Sequence, residues 1–208
     1  MKLQEIIIKE NEDMNIKKEL EIKVGTSNGI YLNDVELDPL TIKAIMINEV
    51  VPSDPVQDFY GVPDADYLKT TIPLLQGAGA KVTSIQDILQ MGVYITNAIK
   101  TPKTGYSIDK SSIENSLPYL EAELSLFPNI KVIMLMGDVA KKAFNMITKK
   151  ATKKNVIPAV STYKLRNSEI YYKGIRPCLK NDKAMCYFNK MAIAAMWTNA
   201  KNDVSSLS

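Results

Sequence analysis

The sequence predicts an α/β chain, a three-layer sandwich whose central, mainly parallel sheet of four to five strands is flanked by helices. Three observations predict it. Short, nearly unbroken apolar runs, each ending in polar residues, have the look of buried parallel strands. They alternate with segments of helical spacing, which implies one parallel sheet with helices on both faces. The 208 residues, 46% apolar and 24% charged, suffice for a compact domain and fit neither a disordered chain nor a membrane protein.

In chain order, residues 1–19 read as a polar lead-in. Leu20 to Val24 suits a short strand, followed by a Gly-rich turn over 25–29. Lys43 to Asn48, KAIMIN, is the first buried strand, and a loop rich in Pro and Asp spans 49–64. Residues 65–79 carry Leu68, Ile72 and Leu75 at helical spacing and stop at Gly77 and Gly79. Ser84 and Asp87 open a short helix over 84–90. Val93 to Thr96 is the second buried strand and ends at Asn97. Ser111 to Leu126 places Ile113, Leu117, Leu120 and Leu124 on one helix face, closed by Pro128. Lys131 to Met136 is the third strand and leads through Gly137-Asp138 into a helix over 138–149, which Asp138 caps. A hairpin is expected near Arg166–Ser168, a closing helix over 182–199, and a frayed Ser-rich tail over 200–208. No repeat or linker interrupts the chain, so residues 1–208 read as one domain.

Composition narrows the chemistry. The chain has no histidine, which excludes a Ser-His or Cys-His dyad, an imidazole base and an ordinary zinc site. Two cysteines, Cys178 and Cys186, exclude a disulfide framework and a four-thiolate cluster within one chain. No metal is expected. The start, MKLQEIIIKENEDMN, lacks a signal-peptide core and no run is long enough to span a bilayer, so a cytoplasmic location is expected. Net charge is +3, but unevenly spread: residues 1–66 carry 6 Lys/Arg against 14 Asp/Glu, and residues 131–180 carry 12 against 2. That basic block, with Lys pairs at 141–142, 149–150 and 153–154, is the footprint of a phosphate-backbone partner, or else a solvated lysine-rich face.

Ligands of parallel sheets bind beyond the carboxyl ends of the strands. Those ends here present Asn48-Glu49, Asn97 and Gly137-Asp138, with a fourth edge expected near Arg176. Over residues 42–145 the ordered segments IMINEVVP, DFYGVPDADYL, VYITNAIK and IENSLPYLEAELSLFPNIKVIMLMGDVAKKAF resemble the uracil-DNA glycosylase superfamily, especially its bacterial and archaeal branch with a G-E-x-P-G first motif.

The resemblance implies a DNA glycosylase acting on uracil or a related deaminated base. It puts Glu49 at the acidic position that orients the attacking water, with Asn48 beside it in the catalytic motif. Phe59, or its neighbour Tyr60, falls at the aromatic that stacks on the flipped base. Asn97 matches the amide that reads the base edge, and Gly137 lies in the substrate-binding turn. The implied partner is uracil-containing DNA, single- or double-stranded, with no membrane and a monomeric protein. The chain also departs from the family. Its His-Pro-Ser motif is replaced by RPCLKND, Arg176 to Asp182, where Arg176 and Lys180 are the substitutes for contacts to the leaving oxygen or phosphate. Thr101 and Ser116 stand at two iron–sulfur ligand positions, so no cluster and no cofactor is expected. Asn48 replaces the leading glycine of the first motif, and Pro52-Ser53 its closing Pro-Gly. Three readings follow: a glycosylase, a nucleic-acid-binding relative without the chemistry, and an α/β protein that binds a small anion at the helix starting at 138.

Overall fold

The computed structural model describes residues 13–77, 79–105, 108–155 and 157, together with the backbone of 170–173 and 183–188. Its elements are β1 (Met14–Asn15), α1 (Ile16–Val24), β2 (Glu36–Leu37), β3 (Ala44–Val51), α2 (Asp66–Gly77), α3 (Ile85–Gln90), β4 (Val93–Pro102), α4 (Lys110–Ser125), β5 (Val132–Leu135), α5 (Asp138–Thr152), β6 (Ile170–Lys173) and β7 (Lys183–Phe188). The main sheet runs β4-β3-β5-β7-β6, with β4, β3, β5 and β7 parallel and β6 antiparallel at one edge. This is the expected α/β architecture.

Side-chain alternation builds the three layers. Ile45, Ile47, Tyr94, Ile133 and Leu135 face a core completed by Ile16 and Leu20 of α1, Leu117 and Leu120 of α4, and Phe144 of α5. Met46, Ile95 and Met134 face the opposite way, onto Leu68 and Leu75 of α2 and Ile85 and Ile88 of α3. Both faces are covered, which is why these strands read as unbroken apolar runs. The open edge of β4 is protected by side chains and a loop. Tyr60 Oη accepts from Ile95 N–H (3.1 Å), Asn33 donates to Ile95 C=O (3.1 Å), and Tyr31 N–H donates to Lys100 C=O (2.7 Å).

The strand expected over Leu20–Val24 is instead the second half of α1. Asn15 caps that helix by accepting from Lys18 N–H (3.0 Å), and Ile16 and Leu20, one turn apart, are fully buried. The alternation of L-E-I-K-V misleads because Ile22 points to solvent, 78% exposed. Gly25, at φ +95°, ends the helix. The helix expected over 182–199 is contradicted over its first turns. Lys183–Phe188 form β7, whose pairing with both β5 and β6 outweighs the helix propensity of Ala184 and Met185. Residues 189–199, the hairpin near Arg166–Ser168, the tail and most of the lead-in lie outside the described residues.

The helix over 84–90 appears as α3. Ser84 accepts from Asp87 N–H (3.1 Å) and the Asp87 carboxylate accepts from Ser84 N–H (3.1 Å), a reciprocal cap. β3 and β4 outrun expectation. They continue past Asn48 and Asn97 to Val51 and Pro102, while β5 stops at Leu135. Asn48 and Glu49 thus lie where β3 has lost its neighbour on the β5 side. No helix among the described residues is long and apolar enough to cross a membrane.

Candidate active site

A cavity of about 410 Å³ opens at this carboxyl edge, lined among others by Asn48, Glu49, Phe59, Tyr67, Lys103 and Met136. That volume is within the ordinary range of small-molecule clefts, about 300–1,000 Å³. Asn48 comes from β3, Met136 from the end of β5 and Tyr67 from α2. Phe59 comes from the turn after a short 3-10 helix, Pro55–Gln57. Two contacts fix that turn. Gln57 accepts from Asp66 N–H at the start of α2 (3.1 Å), and Gly61 lies so close to Val56 that an added Cβ would fall 2.0 Å from its carbonyl oxygen.

Phe59 is 2% exposed and packs on Tyr67 at 5.2 Å between ring centroids, tilted by 54°. The Tyr67 hydroxyl donates to Val50 C=O (2.9 Å), so the aromatic wall is held from behind. Tyr60 points elsewhere. Its ring stacks on Tyr94 (5.8 Å, 23°) and its hydroxyl serves the edge of β4. Burial pushes that phenol far above its usual pKa, as suits a neutral structural group. Of the two aromatic candidates, only Phe59 lines the cavity.

Glu49 reaches the cavity and the start of α5 together. Its Oε1 accepts from Val139 N–H (3.2 Å), which gives that helix the cap its own N-cap residue, Gly137, lacks. The expectation that Asp138 caps α5 is therefore corrected: Asp138 is the first helical residue and pairs with Lys141 (2.7 Å). Gly137 makes room for the carboxylate. Its φ is +141°, and a Cβ there would sit 2.4 Å from Glu49 Oε1. Gly137→Ala should consequently lower stability by about 1–3 kcal/mol in urea denaturation, from backbone strain alone, and displace Glu49. A variant as stable as wild type would contradict this packing. The anion-binding reading also loses ground, because the N-terminus of α5 already holds a carboxylate.

Asn97 is 1% exposed and is the register partner of Asn48 across the β3–β4 ladder. Its Nδ2 donates to Asp58 Oδ2 (2.7 Å), while Asn97 Oδ1 and Asn48 Nδ2 are buried without hydrogen-bond partners. Asp58, absent from the sequence-derived candidates, is 9% exposed and also accepts Phe59 N–H (2.9 Å). Burial raises its carboxyl above the usual 3.8, against the lowering effects of Phe59 N–H, Asn97 and Lys100. A carboxyl with a raised folded pKa binds its proton more tightly when folded. Its stabilisation is full below about pH 4 and is lost as pH rises through the folded value. Melting of wild type against Asp58→Asn between about pH 4 and 7 should therefore shift in favour of the variant as pH rises. A difference that stays flat with pH would show that Asp58 carries no such shift.

Behind the site, on the other sheet face, lies a buried charged network. Lys100 Nζ contacts Glu123 Oε2 (2.5 Å) and Thr96 Oγ1 (2.6 Å), and Glu123 also accepts from Tyr94 Oη (2.6 Å) and Thr96 Oγ1 (2.9 Å). An iron–sulfur cluster at the two positions named by the resemblance does not fit the residues present. Ser116 is fully buried, accepts from Lys100 N–H (3.0 Å) and donates to Ser112 C=O (2.9 Å), and Thr101 offers no thiolate. Arg176 and Lys180 lie outside the described residues. Among the described residues the fourth carboxyl end is Phe188, and Lys173 and Lys183 pair at the opposite edge of the sheet. The basic block is also spread out: Lys149 and Lys150 stand 11 and 12 residues beyond Asp138 on α5, about 16–18 Å along its axis.

The chain is thus a mainly parallel α/β protein with a carboxylate, two amides and an aromatic wall at the carboxyl edge of its sheet, the edge at which such sheets bind their ligands. Residues 60–201 match the Uracil DNA glycosylase superfamily, and the chain belongs to it. The match contains Asn97 and Gly137 and begins after Asn48, Glu49 and Phe59. Among solved structures, a mimivirus UNG variant in complex with UGI is 14% identical, covering 81% of this chain and 68% of that one at a TM-score of 0.41. No curated protein matches.

Proposed function

We propose that this protein is a DNA glycosylase that hydrolyses the N-glycosidic bond of uracil or a related deaminated base. The observation that carries the proposal is a carboxylate, Glu49, brought to a Phe59-walled cavity at the carboxyl edge of a superfamily fold. The extruded base stacks against Phe59 and meets the amides of Asn48 and Asn97. A carboxylate offers about four lone-pair directions, so the bond to Val139 leaves Glu49 able to hold and polarise the attacking water. Water attacks the sugar carbon, the glycosidic bond breaks, and the base departs as an anion. With no histidine in the chain, Lys103, which lines the cavity, is the cation placed to meet that charge. Losing one preorganised donor costs about 10²–10³ in rate, so a slow enzyme is expected.

The protein acts as a monomer on single- or double-stranded DNA without a cofactor, and lysines of the 131–180 block contact phosphates. A second reading, a DNA-binding relative without turnover, is favoured by the cap bond of Glu49 and the engagement of Asn97 Nδ2 by Asp58. Alkali cleavage of uracil-containing oligonucleotides after incubation separates the two. Strand breaks that need both Glu49 and Asn97 support the enzyme; salt-sensitive binding without breaks supports the relative.

A further inference from the structure

Asn48 occupies the place of a motif glycine, which would offer only backbone. Its Nδ2 is buried without a partner beside the cavity that Asn48 lines, and Asn97 Oδ1, on the adjoining strand, is likewise buried without a partner. As register partners on parallel strands, the two residues project from the same face of the sheet. One presents a buried donor and its neighbour a buried acceptor. Unpaired buried polar atoms are rare because each is costly, so the pair suits a ligand that brings the complementary acceptor and donor.

Which atom Asn97 presents is determined by Asp58. The Asp58 carboxylate takes Asn97 Nδ2–H on one oxygen (2.7 Å) and Phe59 N–H on the other (2.9 Å). With both Asp58 oxygens accepting, Asn97 turns Nδ2 toward Asp58 and Oδ1 away.

We propose that Asn48 and Asn97 read the base as a pair: Asn48 Nδ2 donates to a ring carbonyl and Asn97 Oδ1 accepts the adjoining ring N–H, with Asp58 as the positioning residue that orients the Asn97 amide. The ligand is a base with an N–H beside a C=O, placed by stacking on Phe59. Uracil carries that edge, and so do hypoxanthine and xanthine; cytosine has a bare ring nitrogen in place of the N–H. The inference rests on the glycosylase reading of the cavity and adds Asn48 and Asp58 to it.

The test uses the full chain and single-stranded oligonucleotides with one 2′-fluoro-2′-deoxynucleoside, which resists hydrolysis, bearing uracil, N3-methyluracil or cytosine. Fluorescence anisotropy gives Kd for each. Wild type should bind the uracil probe about tenfold or more tightly than the other two, and Asn48→Gly should lose about tenfold on uracil while leaving cytosine unchanged. Asp58→Asn is the sharper variant. Its Oδ1 keeps Phe59 N–H, its Nδ2 then faces Asn97, and Asn97 must turn Oδ1 toward it and present Nδ2 to the base. The uracil-to-cytosine preference should fall about tenfold or reverse, whereas a merely structural role would weaken both probes alike. Equal binding of uracil and N3-methyluracil by wild type, or an unchanged preference in folded Asp58→Asn, overturns the inference. Failure of the glycosylase reading looks different: discrimination in binding persists, and no base is released from ordinary deoxyuridine.

Discussion

Glu49→Gln should lower uracil excision by about 10²–10⁴-fold while leaving the fold intact. The separation follows from the two tasks of one side chain. Glutamine keeps an oxygen that can accept Val139 N–H, so the start of α5 stays capped. It lacks the negative charge that, in the proposed reaction, polarises water and opposes the positive charge developing on the sugar. Glu49→Ala removes both, and should add about 0.5–2 kcal/mol of instability from the lost cap. Single-turnover excision and urea denaturation on the two variants read the tasks independently. Full activity in Glu49→Gln would reduce Glu49 to a helix cap.

The largest effect on stability is expected at Lys100, which is 1% exposed as a residue and pairs with an equally buried Glu123. Lys100→Met leaves the Glu123 carboxylate buried without its cation, at a cost of about 3–5 kcal/mol. Combining it with Glu123→Leu removes the second charge as well, and the double variant should be more stable than either single one. Denaturant midpoints of the four proteins test this directly. Additive losses would mean that the two groups do not compensate each other. Lys100 lies three residues beyond Asn97 on β4, so the network also steadies the strand that carries Asn97.

Much of this fold was legible because its strands are buried on both faces. KAIMIN, the run from Val93 and the run from Lys131 need no tertiary knowledge to be recognised, and the leucines of α4 mark their own face. Misreadings occurred where a short pattern fits two periods. L-E-I-K-V alternates like a strand, yet buries Leu20 and exposes Ile22 on a helix. K-A-M-C-Y-F carries helix formers, yet completes the sheet beside β5.

At the site, Glu49 and Asn97 could be named from the motif, but their partners could not. Asp58 lies 39 residues from Asn97, and Val139 lies 90 residues from Glu49. No local spacing encodes either bond. Phe59 and Tyr60 are neighbours of similar character, yet one ring lines the cavity and the other stacks on Tyr94. The carboxylate of Asp58 beside an aromatic pair was the one visible hint of a buried polar anchor.

The most direct measurement is release of free uracil from a deoxyuridine oligonucleotide under single-turnover conditions, with enzyme in excess, comparing wild type with Glu49→Gln and Asn97→Ala. The account predicts slow but complete release by wild type and loss of release in both variants. No release by wild type that still binds the oligonucleotide in a salt-dependent manner would contradict it.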